Sequence, residues 1–465
     1  MASNFAALSI AEVACRAISM CVMLYLAQSL GRGGYGRIEF AFSIVLWLVL
    51  LVREGLDVIA TREIARHPRI VRPLVNHILA IRSCLALGLF SALILISHLT
   101  LSGAVERQIL GLYGLMLLTT AVGLDFVYRG LERMSLVALS LVIRTSIYAL
   151  GVALLVSDAS RITWVPACLV LGEVCGIALV WVCYTRRFGL PRPTLRGGRF
   201  VRAIVRRGRP VYLIQVSQAV ISSSDLLVVV LMSRWADGGL YGAPHRMATA
   251  VLTFGIIFQQ VVFPSLARTW RSSTIEGQKA LDTMVRVLVT GLLPVAVGVT
   301  LLADPLVQYL LNNEYQGAGL LLALGIWRIP LLTLGYLYQS ALIALNREAA
   351  GVRLLVGAAL VAGPLAALFR WGFGLPGAAL AVVLVGLVLV VAGHILLGRQ
   401  GRAPSWHYHL ARPLLAALAM VPVCLALLPV HVLVAVAGGA LTYFLVLALI
   451  GGLRKDDLRV LLRRG

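Results

Sequence analysis

The sequence predicts an all-α integral membrane protein of 14 transmembrane helices: two six-helix lobes in parallel pseudo-repeat, plus two C-terminal helices. Three observations predict it. The 465-residue chain is 60% hydrophobic and only 13% charged, with a mean hydropathy of +0.93. A soluble domain of that length cannot hide so much apolar surface, because interiors grow too slowly with size. Apolar runs of about 20 residues recur from end to end, the length that carries a helix across the hydrocarbon layer. Basic residues are crowded into alternate loops and sparse in the others, as retention of Lys and Arg on the cytoplasmic side requires.

Taken in order, the first six spans are expected at Ala6–Gln28, Ile38–Val58, Leu74–Ile96, Gln108–Tyr128, Ser135–Val156 and Trp164–Tyr184. The first does not read as a cleavable signal peptide, because Glu12 and Arg16 interrupt its apolar run and no basic stretch precedes it. The next six are expected at Val211–Met232, Tyr241–Val262, Leu281–Ala303, Gly317–Leu345, Val352–Leu368 and Gly377–Leu397, and the last pair at Pro413–Leu428 and Val432–Gly452. This gives an N-lobe over 1–190, a C-lobe with its basic loop over 191–398, and a final pair with a basic tail over 399–465. With both termini in the cytoplasm, the outer loops hold only Arg32, Arg37, Arg107, Arg161, Arg234 and Arg370 of the 41 basic residues. A missed or extra span would reverse the side of every later loop, so the regular alternation supports the count.

The net charge of +22 is carried almost entirely by arginine. Its location excludes nucleic acid as a partner and points to membrane lipids. The densest block, Arg186 to Arg209, surrounds the apolar Phe200–Val205. It reads as a topology signal that attracts anionic headgroups, with a regulatory or partner-binding role as the alternative. The seven cysteines lie in or beside apolar runs without metal-ligand spacing, so they read as buried thiols. No cofactor, metal or enzymatic activity is expected, and no Walker A pattern is present for ATP hydrolysis.

The sequence repeats at an interval of roughly 200–215 residues, a period suited to duplicated transporter halves. Gly33-Gly34-Tyr35-Gly36 corresponds to Gly238-Gly239-Leu240-Tyr241-Gly242, Ala65-Arg66 to Ala267-Arg268, and Leu131-Glu132-Arg133 to Leu345-Asn346-Arg347. An even number of helices per half gives both copies the same orientation, related by an axis along the membrane normal.

Leu30-Gly31-Arg32 through Gly36, Glu54-Gly55-Leu56, Thr61-Arg62-Glu63-Ile64-Ala65-Arg66 and Arg129-Gly130-Leu131-Glu132-Arg133-Met134 form one set of motifs. Asn313-Glu314-Tyr315 and Gly374-Leu375-Pro376-Gly377-Ala378-Ala379 complete it. Through them the chain resembles the polysaccharide transporter branch of the multidrug/oligosaccharidyl-lipid/polysaccharide exporter superfamily, over essentially its whole length. The resemblance implies two lobes around a central cavity lined by spans 1, 2, 7 and 8. It implies a flippase that moves an undecaprenyl-pyrophosphate-linked oligosaccharide to the outer leaflet of the bacterial cytoplasmic membrane by alternating access. Surface polysaccharides such as lipopolysaccharide are then the product, and other polysaccharide-assembly proteins are candidate partners.

Candidate residues follow from cost. A cation at mid-span costs roughly 2.5–3.5 kcal/mol, so each needs a counter-charge or a wet cavity. Arg16, Arg144, Arg246 and Arg328 are such cations. The substrate-binding set is Arg16, Arg53, Arg246, Arg328, Gln215, Gln218 and His245; the coupling candidates for Na+ or H+ are Asp225 and Glu12. Gln215, Gln218, Ser222 and Asp225 form one helical stripe. Glu12 and Arg16 share a face, as an internal pair or as lumen residues. Arg53, Arg82 and Arg286 are placed to snorkel. Arg246 is a candidate partner of Asp225 or of phosphate, and Arg328 of carbonyls freed by Pro330. Arg144 and Glu173 are expected to pair within the first lobe. The alternative is an ion-coupled multidrug exporter of the same superfamily, whose cavity would favour acidic residues.

Overall fold

A computed structural model describes residues 2–53, 56–194 and 198–452. Glu54 and Gly55 of the motifs, Arg196 of the basic block and the tail after Gly452 lie outside the described residues. Among the described residues every regular element is helical, and ten helices are long and apolar enough to cross a membrane. The chain is a multi-pass membrane protein. A helix satisfies its backbone donors and acceptors internally, as hydrocarbon requires.

Two compact units divide the chain, Met1–Ala219 with Val230–Gly239, and Val220–Val229 with Leu240–Gly465. The first holds α1 (Ala2–Arg53), α2 (Leu56–Arg66), α3 (Val71–Thr100), α4 (Ala104–Val122), α5 (Asp125–Gly130), α6 (Met134–Leu155) and α7 (Trp164–Phe188). Helices α8 (Gly198–Met232) and α9 (Trp235–Ser272) contribute to both. The second adds α10 (Thr274–Leu301), α11 (Ala303–Leu310), α12 (Ala318–Gly325), α13 (Arg328–Ala344), α14 (Glu348–Gly398), α15 (Trp406–Leu427) and α16 (Val432–Leu449).

Helix α1 has 52 residues, roughly 78 Å at 1.5 Å per residue and more than twice the hydrocarbon thickness. It kinks at Gly31, whose φ of 63° and ψ of 175° are open to glycine alone. The 51-residue α14 kinks in the same way at Gly374 (φ 69°, ψ −154°), two residues before Pro376. Two of the sequence motifs are thus the residues of helix kinks. The Leu131-Glu132-Arg133 and Leu345-Asn346-Arg347 pair also has a common geometry. Glu132 and Asn346 both have φ 59°, and the following amides, Arg133 and Arg347, each donate over 2.8 Å to Tyr128 and Leu342 carbonyls. This left-handed turn closes a helix by taking up one of its last free carbonyls.

The first unit is held by a core that includes Ile64, Leu74, Val75, Leu124, Phe126 and Tyr184. Its glycine-rich sequences meet backbone to backbone. A Cβ added to Gly36 would lie 1.7 Å from the Trp235 carbonyl oxygen, and one on Gly239 would lie 1.9 Å from that of Arg32. Lipid offers helices no hydrophobic drive to associate, so such close approach supplies the packing. In the short loop before α7, outside the spans, Asp158 accepts hydrogen bonds from the Ser160 and Ser157 hydroxyls and the Ser160 amide, which hold its carboxyl below the usual carboxylate range. In the second unit α15 and α16 share one core with α10, through residues such as Leu281, Leu288, Tyr338, Met420 and Tyr443. The Tyr443 hydroxyl donates to the Thr290 carbonyl at 2.7 Å.

The span expected at Gln108–Tyr128 is one stretch able to cross, Ala104–Gly130, with a break at extended Gly123 between α4 and α5. That expected at Gly317–Leu345 is likewise one stretch, Ala318–Ala344, tightened at Ile326 and Trp327 between α12 and α13. Hydropathy is blind to such features, because side chains rather than apolarity sustain them. The Trp181 indole donates to the Val122 carbonyl at 2.8 Å, and Arg328 Nε donates to the Gly325 carbonyl at 3.0 Å. Helix α8 begins at Gly198 rather than Val211 and carries Pro210 inside it. Its arginines end the hydropathic run but are good helix formers.

Candidate functional site

The second unit encloses an ionic cluster built from three helices. Asp225 on α8 is 0% exposed and Arg328, the first residue of α13, is 1% exposed. Arg328 Nη2 donates to Asp225 Oδ2 at 2.6 Å. From α9, the Tyr241 hydroxyl donates to the same oxygen at 2.5 Å, and His245 Nδ1 lies 3.3 Å from it. Arg328 Nη1 reaches His245 Nδ1 at 2.9 Å, and Nη2 reaches the Tyr241 hydroxyl at 3.4 Å. Asp225 Oδ1 is buried with no hydrogen-bond partner among the described residues. Removing two charges from water costs several kcal/mol per ion, and only close pairing with extra hydrogen bonds offsets it. Asp225 therefore meets Arg328 as a close ion-pair partner. His245 and Arg328, expected among the substrate-binding residues, face this carboxylate.

Two clusters occupy the first unit. Arg144 on α6 bridges Asp125 at 2.9 Å and Glu173 at 3.3 Å. The pair expected between Arg144 and Glu173 forms, with Asp125 as a second acid. Arg82 on α3 donates to Asp57 at 2.6 Å and to the Arg53 carbonyl at 3.1 Å, and its guanidinium lies 5.4 Å from the Phe126 ring centroid. Arg53 holds the other oxygen of Asp57 at 2.9 Å. At 1% exposure Arg82 does not snorkel. A carboxylate within reach removes the need to stretch toward headgroups. Arg82→Leu should lower stability by about 2 kcal/mol, because it leaves buried acceptors unmet. Thermal melting of the purified protein measures this, and an unchanged curve would show that Arg53 alone compensates Asp57.

The remaining candidates are more open. Arg16 is exposed, Glu12 is half-buried, and with Ser19 they follow one face of α1. Among the described residues no hydrogen bond or ion pair holds Arg16, whereas Arg144 and Arg328 each have a carboxylate. Gln215, Gln218, Ser222 and Arg246 are half-buried and Arg286 is likewise partly buried. The polar stripe of α8 thus runs from half-open residues down to the enclosed Asp225. Among the described residues the cysteines are free thiols and no group of His, Cys, Asp and Glu is arranged for a metal ion. Sequence reading missed Asp57, Asp125 and Tyr241. For the two acids the signal was there, since an ionisable residue in or beside a span is itself a warning of a partner.

The fold is shared with known membrane transport proteins. It is similar to lipid II flippase MurJ in an inward closed conformation, with TM-score 0.72, 14% identity, and coverage of 95% of this chain and 98% of that one. It is also similar to a multidrug resistance MATE family transporter of the MOP superfamily, inward-facing, with TM-score 0.67, 14% identity and coverage of 83% and 93%. The MATE multidrug transporter DinF-BH gives TM-score 0.63, 13% identity and coverage of 86% and 94%. No curated protein matches the sequence. The class is therefore an all-helical membrane protein with the MurJ and MATE fold. Residues 1–270, more than half of the chain, match the polysaccharide biosynthesis protein family (Polysacc_synt), and the chain belongs to that family.

Proposed function

We propose that this protein is a flippase carrying an undecaprenyl-pyrophosphate-linked oligosaccharide from the inner to the outer leaflet of the bacterial cytoplasmic membrane. It works by alternating access, in the making of surface polysaccharides, with 14 crossings and both termini in the cytoplasm. Family membership and fold support a transport role. The observation that carries the substrate class is Arg16, a mid-span guanidinium with no ion pair among the described residues. Glu12, one turn away, is the acid whose charge acts on Arg16, but no salt bridge closes between them among the described residues. The guanidinium thus keeps donors for an anion that comes and goes, and its planar donors match phosphate oxygens.

In this reading Arg16, Arg53 and Arg246 meet the pyrophosphate, and Gln215 and Gln218 meet sugar hydroxyls. Arg328 and His245 act through Asp225, which couples the step to Na+ or H+ together with Glu12. The chain itself forms and breaks no covalent bond. A multidrug exporter is the second reading, favoured by the acidic Glu12 and by the MATE likeness.

Reconstitution in vesicles with a lipid-pyrophosphate-linked sugar tests both. Arg16→Ala should slow translocation about tenfold or more, the loss of one charge-assisted hydrogen bond of roughly 1.5–3 kcal/mol. Arg246→Ala should also slow it. Unchanged rates in both variants would remove the site assignment. Efflux of a cationic dye without movement of lipid-linked sugar would replace the flippase by the exporter.

A further inference from the structure

We infer that His245 is a proton site whose charging exchanges the cation held by Asp225 and frees Arg328 at the tightened turn between α12 and α13. The inference rests on the transport reading only for the work that the proton does. Arginine has N–H donors and no acceptor, so its 2.9 Å approach through Nη1 makes His245 Nδ1 the acceptor. His245 is thereby neutral, with its proton on Nε2, and has no hydrogen to offer Asp225 from the nitrogen that lies 3.3 Å away.

Protonation reverses that role. A hydrogen on Nδ1 turns a donor toward the guanidinium, which has nothing to accept it, and the nearby acceptor is Asp225. That carboxylate has capacity in reserve: Oδ2 takes the Tyr241 and Arg328 donors, while Oδ1 is buried and unpartnered among the described residues. An unmet acceptor in such surroundings is costly and favours an added donor.

Charge then decides which partner yields. Asp225, Arg328 and neutral His245 sum to zero. A proton on His245 leaves one positive charge in excess inside the protein, and burying it is expensive unless one cation withdraws. The groups facing His245 are Asp225 from α8, Tyr241 and Arg246 from α9, and Arg328 from α13. Two arginines and one acid thus act on His245, and that acid is already paired with Arg328. His245 lies inside the continuous helix α9. Arg328 begins α13 after Ile326 and Trp327, whose backbone stays helical but tightens to i→i−3 hydrogen bonds (Trp327 to Leu324 at 3.4 Å, Ile329 to Ile326 at 3.0 Å), and Pro330 follows two residues later. A side chain at such a tightened turn with a proline beside it can move with less loss of backbone hydrogen bonding than one in a regular helix.

The full-length protein in lipid nanodiscs, labelled with 15N-histidine and compared with His245→Gln for assignment, tests the proton site directly. Above neutral pH the His245 signal should show the neutral Nε2–H tautomer, and on acidification it should become imidazolium. Hydrogen exchange over residues 318–344 should then accelerate several-fold in the wild type but not in His245→Gln, whose amide accepts from Arg328 and takes up no proton. An Nδ1–H tautomer or an imidazolium above neutral pH would overturn the inference, as would titration without a change in exchange. In vesicles, an imposed pH gradient should accelerate movement of a lipid-pyrophosphate-linked sugar in the wild type and lose its effect in His245→Gln. Equal responses would overturn the coupling role. A wild type that moves no lipid-linked sugar would remove the flippase reading, while the NMR and exchange results still decide the proton site.

Discussion

Asp225→Asn will destabilise the second unit by about 3–5 kcal/mol, the cost of stranding one partner of a buried ion pair. The substitution keeps the side chain's size, so packing is unchanged and only charge is lost. Arg328, 1% exposed, would then hold a full positive charge against a neutral amide. Adding Arg328→Met removes the stranded charge and should restore much of the stability, since well-packed apolar replacements of buried pairs are often neutral or better. Arg328→Met alone should cost less than Asp225→Asn. Asp225 would retain the Tyr241 hydrogen bond, and His245 can take up a proton to stand beside it. Thermal or chaotrope unfolding in detergent compares the three variants. Melting of Asp225→Asn at the wild-type temperature would show that Arg328 is compensated elsewhere.

Gly36→Ala will destabilise the first unit by about 3 kcal/mol, the upper end of the range for overpacking. The new Cβ would lie 1.7 Å from the Trp235 carbonyl oxygen, with the Trp235 carbonyl carbon and the Gly239 nitrogen also closer than contact allows. These are backbone atoms, so no rotamer change relieves the clash and the two segments must separate. Gly33→Ala is the matched control. Nothing lies within 4 Å of its added Cβ, and alanine favours a helix over glycine by roughly 0.8–1.0 kcal/mol. It should melt at or above the wild-type temperature. Equal losses in both variants would trace the effect to glycine flexibility rather than to the crossing.

Much of this was legible in the residues. The Gly31 and Gly374 kinks lie in sequences already singled out, because a positive φ with ψ near 180° is open essentially to glycine alone. The turn at Leu131-Glu132-Arg133 reappears at Leu345-Asn346-Arg347, a pair already matched in the sequence. The helix break before Asp125 and the tightened turn before Arg328 were not legible. Hydropathy sums over a window, and a break or tightened turn held by one indole or guanidinium scarcely changes that sum. Of the candidate site, the need for counter-charges and the warning given by Asp57 and Asp125 could be read, whereas which arginine each acid meets could not.

By itself the sequence determined the membrane class, the apolar segments, and the rule that a buried guanidinium must find an anion. All three follow from composition along a stretch of chain and from the cost of taking charge out of water. The tertiary structure decided which anion each one finds. Arg328 joins Asp225 across 103 residues, and Arg16 is left exposed with no ion pair among the described residues. Those choices depend on the depth and rotation of separate helices, which side-chain packing sets and sequence spacing does not encode.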